Sequence, residues 1–192
     1  MWYKARTKRT KITLFCGKFV VICVNSWFGF PKIANIYTVT IRIKPVTMRA
    51  NDNILTTDAQ IAELLRNTRT IAVLGIKPET HYSQPAFYVA DYMARAGYEI
   101  IPVPVYYPEV TEILGREVYR KLTDVPGEID MVNIFRRPND IPQHVDDILA
   151  KKPKAVWLQL GIRSDEVAET LAAAGIKVVQ DLCLMVEHRA LA

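Results

Sequence analysis

The sequence predicts an α/β fold, a Rossmann-like doubly wound sheet of about five parallel strands with flanking helices, on three observations. Short apolar, β-branched runs recur at Thr70–Leu74, Glu99–Val103, Met131–Ile134, Ala155–Leu158 and Ile176–Val179. The segments between them are long enough for a helix and two turns, the connection that parallel neighbours require. The first run ends in Gly75 and a polar loop, as does the first strand and phosphate-facing turn of a nucleotide-binding domain.

The elements follow in order from Met48. Thr57-Thr-Asp opens a leading helix with cap-type residues and an early acid, and Ile61, Leu64 and Leu65 give it an apolar stripe, which places it on the sheet edge. After the first strand, Ser83 or Gln84 caps a crossover helix with Pro85 in its first turn, a stripe of Ala86, Val89, Ala90 and Met93, and Gly97 at its end. The second strand runs into Pro102-Val-Pro, where two prolines so close together take the chain out of the sheet. A connection over Glu109 to Pro126 is expected to hold a short helix around Glu117 to Leu122. The third strand delivers Phe135-Arg-Arg-Pro. A helix with the stripe Val145, Ile148 and Leu149 follows, closed by Lys151-Lys-Pro-Lys. The fourth strand runs into Gln159-Leu-Gly-Ile-Arg, then Ser164 caps a helix that ends before Gly175. The last strand leads through Asp181-Leu-Cys to a final helical turn at Met185 to Arg189.

Composition limits what this domain can do. The chain has 192 residues, 50% hydrophobic and 23% charged, with a net charge of +5. The charge is unevenly spread. Residues 1–47 hold nine Lys or Arg and no acid, so residues 48–192 are net acidic. A nucleic-acid surface needs its basic residues on a face of the folded part, and here they sit on an appendage. Residues 1–47 therefore read as a basic N-terminal extension outside the functional domain, which starts at Met48. A cleaved targeting segment is the alternative, since the extension pairs a basic start with an apolar run broken at Gly17-Lys18 and too short to span a bilayer. Within the domain Cys183 stands alone, which allows neither an internal disulfide nor a cysteine zinc cage. His81, His144 and His188 form no metal-ligand spacing. A cytoplasmic protein without membrane or nucleic-acid partners is the expectation.

The candidate site follows from sheet geometry. Ligands of open parallel sheets bind beyond the carboxyl ends of the strands, near the point where strand order reverses. The residues delivered there include Gly75, Ile76, Lys77, Val103, Pro104, Phe135, Arg136, Arg137, Gln159, Leu160, Gly161, Ile162 and Cys183. Lys77, Arg136 and Arg137 bring three cations to one rim of a net-acidic domain, as a multiply phosphorylated ligand requires. A solvated strand end is the plainer reading of the arginine pair, and a small core residue that of Cys183. The rim lacks the glycine-rich fingerprint and the second-strand acid of a dinucleotide site, and the chain has no Walker loop.

Several longer motifs carry a family resemblance. Gly75 with Ser83-Gln-Pro-Ala-Phe-Tyr-Val-Ala-Asp-Tyr, Gly97-Tyr-Glu-Ile-Ile-Pro-Val-Pro, Leu114-Gly-Arg-Glu-Val-Tyr, Asn133-Ile-Phe-Arg-Arg, Ala155-Val-Trp-Leu-Gln-Leu-Gly-Ile-Arg and Asp181-Leu-Cys-Leu-Met-Val-Glu-His resemble the stand-alone CoA-binding domain proteins over about residues 50–191. These are similar to the CoA-binding domain of the succinyl-CoA synthetase alpha subunit. The resemblance implies a small domain that holds CoA or an acyl-CoA without chemistry of its own. Gly75, Ile76, Lys77 and Ser83 would face the phosphates, and Val103 and Pro104 the adenine or ribose. Phe135, Arg136 and Arg137 would flank the nucleotide, with Gln159 to Ile162 along the pantetheine. Leu182 stands where the family commonly has arginine. The synthetase's phosphohistidine and ATP-grasp parts have no counterpart here, so no catalytic residue is assigned. An NAD(P)-type or other nucleotide-binding redox or regulatory protein, and a non-catalytic partner of an acyl-CoA enzyme, remain as alternatives. A homo-oligomer is compatible with each.

Overall fold

The computed structural model describes residues 50–191. The basic extension expected over residues 1–47, and the boundary at Met48, lie outside the described residues. Five parallel strands form the sheet: β1 (Thr70–Leu74), β2 (Glu99–Val103), β5 (Met131–Ile134), β6 (Ala155–Leu158) and β7 (Lys177–Val179), while a hairpin of β3 (Glu112–Ile113) and β4 (Arg116–Glu117) stands apart. The spatial order is β2-β1-β5-β6-β7. The chain thus goes outward from β1 to β2, then returns past β1 to start the other half. That reversal puts the switch point between the carboxyl ends of β1 and β5. Leu74 lies opposite Val103 on one side and Ile134 on the other, so three strands finish level at that edge.

Side-chain alternation along the strands builds two cores. Ile71, Val73, Met131 and Trp157 face α1 (Asp58–Arg66), α2 (Pro85–Arg95) and α5 (Leu184–Leu191). Ala72, Leu74, Val132, Ile134, Val156 and Leu158 face α3 (Val145–Lys151) and α4 (Asp165–Ala173). Because both faces are covered, β5 and β6 are buried at every position and apolar at every position but Asn133, whose side-chain oxygen accepts from Gln159. Each fully buried Val, Leu or Ile contributes about 1.5–3 kcal/mol. At the amino edge, Asp130 accepts hydrogen bonds from the amides of Arg69 and Thr70 at 2.9 and 3.1 Å and pairs with Lys154 at 2.6 Å, tying the starts of β1 and β5 together. Among the described residues no helix is long and apolar enough to cross a membrane.

Four expectations are corrected. The leading helix does begin with a capping box between Thr57 and Gln60, but α1 lies over a sheet face; it is the preceding Ile54, bridged to Val178, that touches the edge beyond β7. Pro102 stays in β2, opposite Val73. Proline is tolerated there because β2 is an edge strand and loses no inner ladder bond. The helix expected around Glu117 to Leu122 is the β3–β4 hairpin and a 3-10 turn at Leu122–Asp124. Leu114 and Gly115 have φ of 54° and 66°, the pair of positive values that a two-residue hairpin turn demands. Finally, of the two residues expected to cap α2, Gln84 and not Ser83 holds the N-cap position, and its side chain makes no cap hydrogen bond.

Candidate functional site at the carboxyl edge

Gly75 closes β1 at the switch point. Its φ is +87°, and a Cβ placed on it would stand 2.5 Å from the Phe135 carbonyl oxygen and 3.2 Å from Cδ of Arg136. The contact is fixed from both sides: the Gly75 amide donates to the Val103 carbonyl at 2.8 Å, and the Phe135 amide to the Leu74 carbonyl at 2.9 Å. Backbone from β1, β2 and β5 therefore meets without intervening side chains. Only glycine satisfies both the conformation and the spacing.

The two arginines that follow Phe135 have different surroundings. Arg137 is exposed, as a solvated strand end is. Arg136 is buried, with its side chain only 8% exposed, and pairs with Asp140 at 3.2 Å. Its guanidinium lies 5.2 Å from the ring centroid of Tyr106, so the side chain runs from the end of β5 past Gly75 to the loop after β2. Its Nε has no hydrogen-bond partner. Two neighbours share that condition: Asn133 Nδ2 on β5 and His144 Nε2 in the turn before α3 are also buried and unpartnered. Burial, and then the nearby Arg136 charge, push the His144 imidazole below its ordinary pKa, against the opposing pull of Asp147 and Asp140. A buried cation with an unmet donor at the switch point is suited to an anionic or hydrogen-bond-accepting ligand.

The β1 loop adds a further cation. Lys77 is half-buried and its ammonium donates to the side-chain oxygen of Gln84, the N-cap of α2. With no side-chain cap, the positive end of α2 is left beside this ammonium. Glu79 leaves the rim, accepting from the Leu114 amide at 2.7 Å to tether the hairpin. Ser83 is exposed.

Several residues assigned from sequence have side chains elsewhere. Ile76 and Val103 are 1% and 0% exposed and belong to the two cores, so their side chains are not at the rim and their backbone is what they can offer a ligand. Pro104 is likewise buried. Phe135 and Cys183 pack partly against the apolar cluster beneath α2 and α5. Gln159 is buried, donating to Asn133 Oδ1 at 2.9 Å and accepting from the Leu184 amide at 3.3 Å, which joins β5, β6 and α5. Leu160 and Gly161 do stand at the surface, with the Gly161 amide held at 2.6 Å by Asp181, while Ile162 packs partly inward. Leu182 also packs against the core, and its carbonyl accepts from Trp157 Nε1 at 2.8 Å.

Exposed apolar surface gathers at the same edge. Tyr82, Tyr106 and Leu160, exposed by 72%, 62% and 68%, lie on the loops after β1, β2 and β6. Such grouping marks ligand surfaces more often than scattered single residues do. Sequence reasoning named only Leu160. The Tyr106-Tyr107 pair two residues after Pro104 was the available signal, whereas Asp140 and His144 depend on how the chain folds back after β5. A separate hollow of about 250 Å³ lies along the outer edge of β2, lined by Glu99, Ile101, Pro102, Arg116 and Tyr119 among others. There the hairpin covers an edge strand, with the Tyr119 amide bonded to the Pro102 carbonyl at 2.9 Å, and the hollow lies away from the switch point. Among the described residues no group of three or more His, Cys, Asp or Glu is placed to hold a metal ion.

Comparison with known proteins places these features in a family. The CoA binding domain family matches residues 69–189. The uncharacterized protein YneT of Bacillus subtilis is 35% identical over 130 residues, which is 68% of this chain and 93% of YneT. Two solved structures are similar: cell-free ID.343 from Thermus thermophilus, at 39% identity and a TM-score of 0.66 over 71% of this chain and 100% of its own, and a hypothetical protein from Pyrococcus horikoshii OT3, at 32% and 0.64 over 71% and 92%.

Proposed function

The chain belongs to the CoA-binding domain family, and on that premise we propose that it binds CoA or an acyl-CoA along the carboxyl edge of its sheet, with no catalysis of its own. One observation carries the reading. At the switch point Gly75 meets the Phe135 backbone, and the buried Arg136 lies beside that contact with an unpartnered Nε. Lys77 and the open end of α2 supply further positive potential for a pyrophosphate, and Arg137 is free to reach a phosphate in solvent. The exposed Leu160 and Gly161 offer an apolar, open path suited to pantetheine.

A binding role fits the side chains better than a catalytic one. His81 is engaged with Thr80 and Tyr107, and Cys183 is half-buried against the core. Neither is paired with the acid or base that would activate it. Residues 48–192 form the binding unit, cytoplasmic in this reading, and the bound acyl-CoA would be presented to or withheld from a separate acyl-CoA enzyme. Thermal unfolding of the protein with CoA, acetyl-CoA, NAD and ATP tests the ligand choice. CoA at a hundredfold excess over its dissociation constant should stabilise the fold by about 2.7 kcal/mol. NAD should not, since the rim lacks the glycines and acid of a dinucleotide site. An equal NAD shift would replace this reading with a redox or regulatory one.

A further inference from the structure

The loop after β2 is built more firmly than an exposed loop needs. Tyr107 has φ of 67°, a left-handed conformation that a bulky residue keeps only when its surroundings hold it. Arg120 does so. Its Nη1 donates to the Tyr107 carbonyl at 3.1 Å, and its Nη2 to the carbonyls of Pro108 and Val110 at 3.0 and 2.5 Å. Tyr107 is further anchored through its hydroxyl to His81 Nε2 at 3.4 Å. All this fixes the backbone next to Tyr106, whose ring is 62% exposed. One side of that ring rests on the Arg136 guanidinium, which is itself buried and fixed by Asp140.

We infer that Tyr106 is a stacking platform for the purine ring of the nucleotide held at the switch point, with Arg136 as the positioning residue beneath it. The inference rests on the CoA-binding reading and adds to it the residue that recognises the base. A flat ring already held in place loses little freedom when a base stacks on it, so the contact goes to affinity rather than to ordering. The position suits the ligand as well. Arg136 runs from beside Gly75, where the phosphates are proposed to lie, to the ring, so a purine on Tyr106 stays within reach of a pyrophosphate at the strand ends.

The test is calorimetric titration of the full chain, wild type, Tyr106→Phe and Tyr106→Leu, with three probes: CoA, adenosine 3′,5′-bisphosphate and 4′-phosphopantetheine. Leucine keeps apolar cover over Arg136 but has no π-face, while phenylalanine keeps the face and lacks only the hydroxyl. Tyr106→Leu should weaken CoA and the bisphosphate by roughly 5- to 100-fold, leave phosphopantetheine unchanged, and be matched by no loss in Tyr106→Phe. Arg120→Met, which releases the loop without touching Tyr106, should lower the affinity for the two base-containing probes alone. Unchanged CoA and bisphosphate affinity in Tyr106→Leu, with wild-type binding intact, overturns the platform alone, as does an equal loss for all three probes. Failure of the wild-type chain to bind CoA overturns the CoA reading and the platform together, whereas binding of CoA without any binding of the bisphosphate overturns the platform alone.

Discussion

Replacing Gly75 by alanine tests the close approach that defines the switch point. The added methyl brings two costs. An L-residue at positive φ is disfavoured by about 1–2 kcal/mol relative to glycine. The new Cβ would also lie 2.5 Å from the Phe135 carbonyl oxygen, which cannot withdraw without breaking the 2.9 Å bond from its own amide to Leu74. Overpacking of that kind costs about 1–3 kcal/mol. Alanine recovers about 0.4–1 kcal/mol by restricting the unfolded chain, leaving a net loss of about 2–4 kcal/mol. For a domain of this size that lowers the melting temperature by roughly 5–15 °C. Gly175 supplies the control: its φ is +85°, nearly the same, and a Cβ there meets nothing within 4 Å. Gly175→Ala should lose only the conformational part, and the difference between the variants isolates the contact. Urea unfolding of both, with calorimetric titration of CoA into Gly75→Ala, is the assay. Equal losses in the two variants would show that the crevice relaxes around a methyl group and that close backbone approach does not shape the site.

Three further outcomes follow from particular surroundings. Arg137→Ala should leave stability within about 0.5 kcal/mol while reducing CoA affinity in a salt-dependent way, whereas Arg136→Ala should lower affinity and also cost about 1–3 kcal/mol of stability, because it removes a buried ion pair and the support of Tyr106; titration and urea unfolding at two salt concentrations read both. Asp130→Ala, at the opposite edge, should destabilise by about 2 kcal/mol with CoA affinity unchanged. Burial raises the Asp130 carboxyl, but Lys154 and the Thr70 and Arg69 amides outweigh it and hold the pKa below the ordinary value, so its contribution is present above about pH 4 and disappears as pH falls through the folded value. The depressed His144 gives a loss at higher pH: the unfolded chain takes up the proton first, so stability falls as pH drops from about 6.5 through the folded value. Since His188 is depressed by burial too, His144→Gln should reduce the slope between pH 7 and 5 without removing it, and an unchanged slope in urea unfolding would refute the assignment.

The strands were legible because burial on both faces leaves β5 and β6 apolar at every position but Asn133, a pattern that survives without knowing the neighbours. Gly75 was legible for a similar reason, as punctuation at the end of such a run. The β3–β4 hairpin was not. Its turn uses Leu114 at positive φ, and leucine carries no local signal for that conformation; the hairpin is held instead by Glu79 from a distant loop. The arginine pair shows the same limit. Adjacent in sequence and alike in chemistry, Arg136 and Arg137 part company because Asp140 and Tyr106 enclose one and nothing encloses the other. Ile76, Val103 and Gln159 were assigned to the rim by position along the chain, but the direction of a side chain at a strand end follows the pleat, and these three turn inward. Tyr106 was passed over because a platform consists of its supports, and Arg120 and Arg136 come from other parts of the chain.

The central claim is that the carboxyl edge of the sheet holds CoA, and amide NMR during a CoA titration of the isotope-labelled protein tests it most directly. The predicted shifts are largest at Gly75 to Lys77, Val105 and Tyr106, Phe135 to Arg137 and Leu160 to Gly161, and saturate together with one dissociation constant. Shifts centred instead on the hollow beside β2, at Glu99, Arg116 and Tyr119, or no saturable shift at any amide, would contradict it.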